Sequence, residues 1–306
     1  VVTATANGTV AQLLTIANAT SGKDALTLNI SGATATASDL LALDAKTSVK
    51  VDATALSVSG TAAQLKELAA AKGVQLAKDV ALTVTGATNA ADLAAVLKAT
   101  TGVVKATVAA DTASALNSAL KDANSSDALI LKVSGSTATA KDLLSLDAKT
   151  SEKIGLTVGE ITGNIAEITN VFVTNAAGFD ATLGASKANI SGTVEAAAAD
   201  KIADATTGVV TATIKADTAA VLNTALVDAD GVAAVNAYKL TVTGTSAKAA
   251  DLNGLDAKTS VAVDASAIKN IDGTIPAGAV EVNKVVTAAN AGEISGLGNE
   301  TVNLTG

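Results

Sequence analysis

Leu43-Asp44-Ala45-Lys46-Thr47-Ser48 recurs as Leu146-Asp147-Ala148-Lys149-Thr150-Ser151 and again as Leu255-Asp256-Ala257-Lys258-Thr259-Ser260. Around these hexapeptides the chain falls into three long copies of one text. They open at Val1-Val2-Thr3-Ala4-Thr5, Val103-Val104-Lys105-Ala106-Thr107 and Val209-Val210-Thr211-Ala212-Thr213. A repeat constrains a fold more than any composition does, because each copy must build the same substructure. The copies are 1–102, 103–208 and 209–306.

Inside each copy a shorter rhythm runs strand, turn, helix, turn. Val80-Ala81-Leu82-Thr83-Val84-Thr85 alternates, which predicts a half-buried strand with Val80, Leu82 and Val84 inward. Gly86 is expected to end it. Asn89 with Asp92 predicts a helix start, Leu93, Val96 and Leu97 an apolar face, and Thr100-Thr101-Gly102 a stop. The same unit places Leu26, Leu28 and Ile30 inward on a strand, with Thr36 and Asp39 starting a helix that carries Leu40 and Leu43. Thr139, Asp142, Leu143 and Leu146 repeat this in the second copy. In the third, Lys248 stands where the cap should be. Thr61 with Gln64 is a further capping box. Asp111 and Asp217 are expected to cap helices carrying Leu116 and Val221. Ile154 to Ser191 and Val261 to Val302, with the only proline at Pro276, lack helix signals and are expected to hold β segments or loops alone.

Units of about 18 to 32 residues cannot bury their apolar faces alone and must stack. Short turns in a strand–helix–strand order call for parallel strands and right-handed crossovers. The expected fold is therefore an α/β, right-handed solenoid of stacked strand–helix coils. One parallel sheet is covered by helices, the outline is leucine-rich-repeat-like, and some coils are β-only. With no linker text, it runs continuously over 1–306.

Composition fits thin, regular layers. Aromatics make up 1% of the chain, as Phe172, Phe179 and Tyr238. There is no Cys, Met, Trp, His or Arg, and all 21 basic residues are Lys. That removes disulfides, thiolate metal sites, the commonest general base and the bidentate phosphate fork. A net charge of −8 without a basic block argues against nucleic acid. No apolar run is long enough to suggest membrane insertion. The chain has neither an initiator Met nor a signal-peptide pattern, which reads as a processed product or a piece of a longer one.

Candidate chemistry is sparse. Asp44 with Asp52, and Asp256 with Asp264, could form carboxylate pairs that bind calcium together with carbonyl oxygens. Against this, Gly155 takes the second Asp's place in the middle copy, and such Asp residues commonly satisfy local backbone donors. Ser266-Ala267-Ile268-Lys269 matches a Ser-x-x-Lys acylase pattern but lacks its Ser-Asp-Asn partner. No enzyme and no other cofactor are expected. Outward Thr83, Thr85, Lys105, Thr107, Lys132, Ser134, Thr211, Thr213, Thr241 and Thr243 predict polar ladders on a sheet face. These would be a solvated surface or a grip for polysaccharide. Asn-x-Ser/Thr sequons begin at Asn7, Asn18 and Asn29, among others.

The hexapeptide, with Val49-Lys50-Val51-Asp52-Ala53-Thr54 and Val261-Ala262-Val263-Asp264-Ala265-Ser266 after it, resembles text from very long cell-surface and secreted repeat proteins of cyanobacteria. The resemblance covers most of the chain. It implies an extracellular, surface-associated protein with a structural, adhesive or motility role, and it carries over no functional residue. The calcium-binding Gly-Gly-x-Gly-x-Asp repeats frequent in such proteins are missing. The expected role is a structural repeat protein that self-assembles into a surface filament or sheet. An adhesin using the Thr/Lys face is the alternative. Strand-like text at both ends, Val1 to Thr5 and Thr301-Val302-Asn303-Leu304-Thr305-Gly306, predicts ends covered by further repeats or by another copy meeting end to end.

Overall fold

The computed structural model of the chain describes residues 1–19, 22–227, 235–274 and 277–305; Pro276, and Thr20 of the Asn18 sequon, lie outside them. The architecture is α/β, with eleven α-helices alternating with short strands among the described residues. The chain divides into two compact units: Val1–Ser134 with Ser145–Gly155, and Gly135–Leu144 with Leu156–Gly306.

The first unit carries a four-stranded sheet in the order Thr3–Gly8, Ala25–Ile30, Val51–Asp52, Val74–Gln75. Beside it is a five-stranded sheet in the order Thr34–Thr36, Ser57–Gly60, Leu82–Thr88, Val104–Val108, Ala128–Ile130. The second unit holds a five-stranded sheet of Thr137–Thr139, Glu160–Asn164, Lys187–Val194, Val210–Ile214 and Ala237–Lys239. It also holds a three-stranded sheet of Ser246–Lys248, Asn270–Thr274 and Thr301–Thr305, and a pair, Val263–Asp264 with Ile294–Ser295. Every ladder in these sheets is parallel. Ladder partners such as Thr3 and Ala25, Val58 and Leu82, or Ile271 and Val302 stand one strand–helix coil apart in sequence.

The single sheet expected from the sequence does not form; the strands make several small sheets. The cause is local. Gly32, Gly135 and Gly244 occupy the same place in the three copies and have φ of 116°, 118° and 90°. This left-handed region is open to glycine at little steric cost. Each such glycine turns the chain between one short strand and the next, so a coil contributes to two sheets instead of one.

Strand faces follow the alternation. Leu28, Leu82, Val84, Val104, Val133 and Val242 are buried, while Thr83, Thr85 and Lys132 are exposed. The inner row Ala35, Val58, Leu82, Val104 runs through successive ladder partners and is closed to solvent. Each fully buried Val or Leu of this row contributes about 1.5–3 kcal/mol. Leu82's strand does not stop at Gly86, contrary to expectation. Gly86, at φ 77°, lies in a register shift between Thr83 and Ala87, and the strand resumes to Thr88. Glycine here makes a bulge, which bends a strand without ending it.

Helix starts match their caps in most coils. Thr36 accepts from the Asp39 amide, Asn89 from Asp92 and Thr139 from Asp142, and Thr61 with Gln64 forms a full capping box. Lys248 makes no capping bond. The caps expected at Asp111 and Asp217 belong instead to Thr112 and Thr218. Both Asp residues sit in parallel bridges to Val133 and Val242, so their backbone is still bridged as strand, and the cap falls one residue on, ahead of helices that begin at Ala113 and Ala219. That shift buries Leu222 and leaves Val221 exposed.

The helix-poor regions are not β-only. Ile165–Thr169 is an α-helix continued by a π-helical turn at Asn170–Thr174, and Ala277–Ala291 is a 15-residue α-helix. Its four valines carry low intrinsic helix propensity, while its five alanines favour helix. Burial of Val285 and Ala288, one helical turn apart, outweighs the valines' preference. Phe172, Phe179 and Tyr238 are all buried, and all belong to the second unit; the first unit's core is wholly aliphatic.

Candidate functional site

The buried polar residues among those described are Asp24, Thr47, Asp127, Thr150, Ser186, Thr206 and Thr259. All of them meet in one recurring arrangement. Thr47, the threonine of the first hexapeptide, donates its hydroxyl to the Leu26 carbonyl at 2.7 Å and accepts from the amides of Leu26 and Val49, both at 3.1 Å. One donor and two acceptor sites are thereby filled, the full capacity of a hydroxyl. Thr150 does the same with the Leu129 carbonyl at 2.8 Å and the amides of Leu129 and Glu152 at 3.0 and 3.1 Å. Thr259 donates to the Tyr238 carbonyl at 2.7 Å and accepts from Val261 at 3.1 Å.

Thr100 and Thr206, outside any hexapeptide, repeat the geometry. They donate to Val80 at 2.6 Å and Ser186 at 2.7 Å, and accept from Gly102 and Gly208. In all five places the residue after the threonine continues the link. The amides of Ser48, Thr101, Ser151, Thr207 and Ser260 donate to the carbonyls of Asp24, Lys78, Asp127, Gly184 and Asn236 at 2.7 to 2.9 Å. A side-chain acceptor then reaches back one coil further: Asp24, Asp127 and Asn236 accept from the amides of Val2, Val104 and Val210 at 2.8, 2.8 and 2.9 Å. Since Asn236 serves as well as the two Asp residues, the position demands an acceptor oxygen and not a charge.

Sequence reasoning found the hexapeptide but not this staple. The available signal was a Thr-Ser or Thr-Thr pair placed between the end of five of the helices and the next strand. Its role is geometric. A buried hydroxyl satisfies backbone groups at a corner where no ladder can, and leaving them unsatisfied costs about 1–3 kcal/mol each.

The candidate calcium ligands are placed differently. Asp52 Oδ1 accepts from the Thr54 amide at 3.0 Å and its hydroxyl at 2.7 Å, and these bonds hold its pKa below the ordinary value. Asp264 is likewise lowered by Ser266, whose amide it accepts at 3.1 Å. Asp44 lies over Gly73: a β-carbon there would be 1.6 Å from Asp44 Oδ1. The Gly73 carbonyl accepts from Val51, the neighbour of Asp52, at 2.8 Å. Asp256 has its pKa raised, first by burial and then by Glu293, whose carbonyl accepts from Val263 at 2.8 Å. Asp147 is raised by burial alone. Asp52 and Asp264 thus engage local donors. Among the described residues no group of three or more acidic side chains is arranged to hold a metal ion.

Ser266 and Lys269 do not form a nucleophile–base pair. The Lys269 ammonium donates to the Ser266 carbonyl at 3.4 Å, and both residues are exposed. A cleft of ≈ 360 Å³ in the second unit is lined by Lys248, Asp272, Thr274, Glu281 and Thr305 among others. Its carboxylates are already engaged: Asp272 by Asn303 at 3.0 Å, Glu281 by Asn253 at 2.7 Å and Lys284 at 2.9 Å.

The outward rows are mixed. Thr36, Ser59, Thr83 and Lys105 are successive partners, and Ala128 then interrupts them. Thr85 falls in the bulge and joins no ladder. Thr139, Thr162, Asn189 and Thr211 form a second row ending at Ala237. Elsewhere the rows are amide ladders, with Asn29 donating to Asn7 at 2.7 Å. No family model, curated relative or solved structure matches the chain.

Proposed function

We propose that this is a structural repeat protein of the cell surface or extracellular space. Its coils stack as a right-handed α/β solenoid, and its copies assemble end to end into a filament or sheet. The observation that carries this reading is the staple. The polar residues buried among those described belong to bonds between one coil and the next, and none is held in reserve for a reacting group. Parallel ladders that link residues one coil apart support the solenoid, with right-handed crossovers the rule for such connections. A chain without Cys, His or Arg, in text resembling secreted repeat proteins, supports an exported structural role over catalysis.

Sedimentation velocity across a concentration series, with electron microscopy of the same samples, tests the assembly. Growth into regular filaments or lattices is expected. Dispersed monomers that bind polysaccharide through the Thr/Lys rows would overturn it in favour of an adhesive module.

A further inference from the structure

The lysine of the third hexapeptide is held against an amide. Lys258 Nζ donates to the Asn223 side-chain oxygen Oδ1 at 2.8 Å and to the Asn223 backbone carbonyl at 2.5 Å. Asn223 Nδ2 in turn donates to Asp251 Oδ1 at 3.4 Å. All three residues are half-buried and belong to the second unit. Asn223 lies on the helix Ala219–Ala225, and Asp251 on the helix Ala249–Asp256 that packs beside it. Lys258 follows closely on the end of that second helix. An amine, a carboxamide carbon and a carboxylate thus meet across two successive coils.

Gly254 permits the close approach. Asp251, Gly254 and Lys258 follow one another at the spacing that shares a helix face. A β-carbon on Gly254 would lie 2.5 Å from Asn223 Oδ1 and 2.9 Å from its Cγ and Nδ2, so any side chain there would push the amide away. The bond to the Asn223 backbone carbonyl steadies the amine, near a helix end where carbonyls run out of helical donors. The other copies lack the full set. The first has Leu14 in place of Asn223 and Ala42 in place of Gly254, so Lys46 has no matching amide. The second keeps Asn117 but has Ser145 in place of the glycine.

We propose that Lys258 and Asn223 join in an intramolecular isopeptide bond. Nζ attacks Asn223 Cγ, a C–N bond forms, and the bond from Cγ to Nδ2 breaks. The lysine ammonium starts with three hydrogens. One stays on the new amide nitrogen, and the other two end on Nδ2, which leaves as ammonium. Asp251, hydrogen-bonded to Nδ2, delivers a proton to it as it departs and regains one shed by Nζ. The carboxylate therefore ends as it began, and no oxidant, metal or second protein is consumed. Holding amine and amide in contact makes an otherwise sluggish attack effectively unimolecular. The product closes a loop between residues 35 apart and ties two coils together covalently. It does in a cysteine-free chain what a disulfide does elsewhere.

Mass spectrometry of the full chain, held folded at neutral pH, tests the bond. The expected mass is that of the sequence less one ammonia. Trypsin cuts after lysine, and an acylated Lys258 is no longer cut. The digest is therefore expected to give peptide 216–239 joined to an uncut peptide 249–269, while Lys46 is cut normally. Lys258→Arg, which keeps the cation without the nucleophile, is expected to restore the full mass and cutting at 258. Asp251→Asn, checked for an unchanged circular dichroism spectrum, is expected to slow or abolish the linkage. A linkage that forms equally fast in Asp251→Asn would overturn the proton-carrying role. Asn253-Gly254 could also lose ammonia, by closing on its own backbone. Ammonia loss confined to that pair, with 216–239 released as a free peptide, would overturn the proposal. So would the full sequence mass with normal cutting after Lys258.

Discussion

The first strand and the strand Val104–Val108 have nearly the same text and opposite fates. Val2 is 55% exposed; its counterparts Val104 and Val210 are 1% and 0% exposed. The amide of each is held by the same kind of acceptor, Asp24, Asp127 or Asn236. What differs is the neighbour on the other side: Leu82–Thr88 covers Val104, and Lys187–Val194 covers Val210. Burial in such a chain is therefore a property of the stack. An inward residue becomes core only when the next coil arrives.

The largest effect expected from this contrast comes from charge. Val104→Asp should cost about 3–5 kcal/mol, the range for a buried charge without a partner. Val2→Asp in dilute solution should stay within about 0.5 kcal/mol of the parent. Urea denaturation measures both, and equal losses would mean that the first strand is covered after all. Next comes packing. Leu93, fully buried on a helix with helical neighbours on both sides, should cost about 2–5 kcal/mol on truncation to Ala. Half-exposed Ile16 should cost no more than about 1 kcal/mol, because little apolar area is at stake.

A smaller loss separates the staple threonines from their exposed neighbours. Thr150→Val keeps the shape but strands the Leu129 and Glu152 amides, and should cost about 1–3 kcal/mol. Thr101→Val, at an exposed hydroxyl, should change stability by less than about 0.5 kcal/mol. Faster hydrogen exchange at Leu129 and Glu152 alone would confirm that the staple acts locally.

The smallest effect contrasts two carboxylates of the third copy. Asp256 has a raised pKa, so the folded state holds its proton more tightly than the unfolded state does. Its contribution to stability falls as pH rises from the ordinary carboxylate range through the raised value. Asp256→Asn should therefore stabilise at neutral pH, by at most about 0.5 kcal/mol given its partial exposure. The gain should vanish in acid. Asp264, lowered by Ser266, has the opposite sign: its contribution is present above the ordinary range and lost as pH falls through the lowered value. Melting temperatures of Asp256→Asn and Asp264→Asn across pH 3 to 7 would show the two slopes.

What could be read from the sequence was whatever depends on neighbours along the chain. Alternation placed Leu82 and Val84 inward, and the pairs Thr61–Gln64 and Asn89–Asp92 located helix starts, because both signals are complete within a few residues. The Ala277–Ala291 helix was hidden because Val280, Val282, Val285 and Val286 read as strand text, and the shared buried face of Val285 and Ala288 exists only once the chain is packed. The division into small sheets has corners at Gly32, Gly135 and Gly244 and others, such as Ala53 to Leu56, that hold no glycine, and a glycine alone does not announce a corner or, as at Gly86, a bulge. The staple escaped notice because each hydroxyl bonds a carbonyl 20 or 21 residues away. No local pattern encodes that partner.

The confinement of Phe172, Phe179 and Tyr238 to the second unit has an optical consequence. The residues 1–134 with 145–155 contain no chromophore beyond the peptide bond, so near-ultraviolet absorbance and tyrosine emission report on the second unit alone. Far-ultraviolet circular dichroism reports on both. Denaturation followed by the two signals on one sample gives superimposable curves if the units melt together. If the first unit lets go earlier, a dichroism change precedes any shift in tyrosine emission. The native chain thus carries a built-in probe of one half and a silent reference in the other, with no label added.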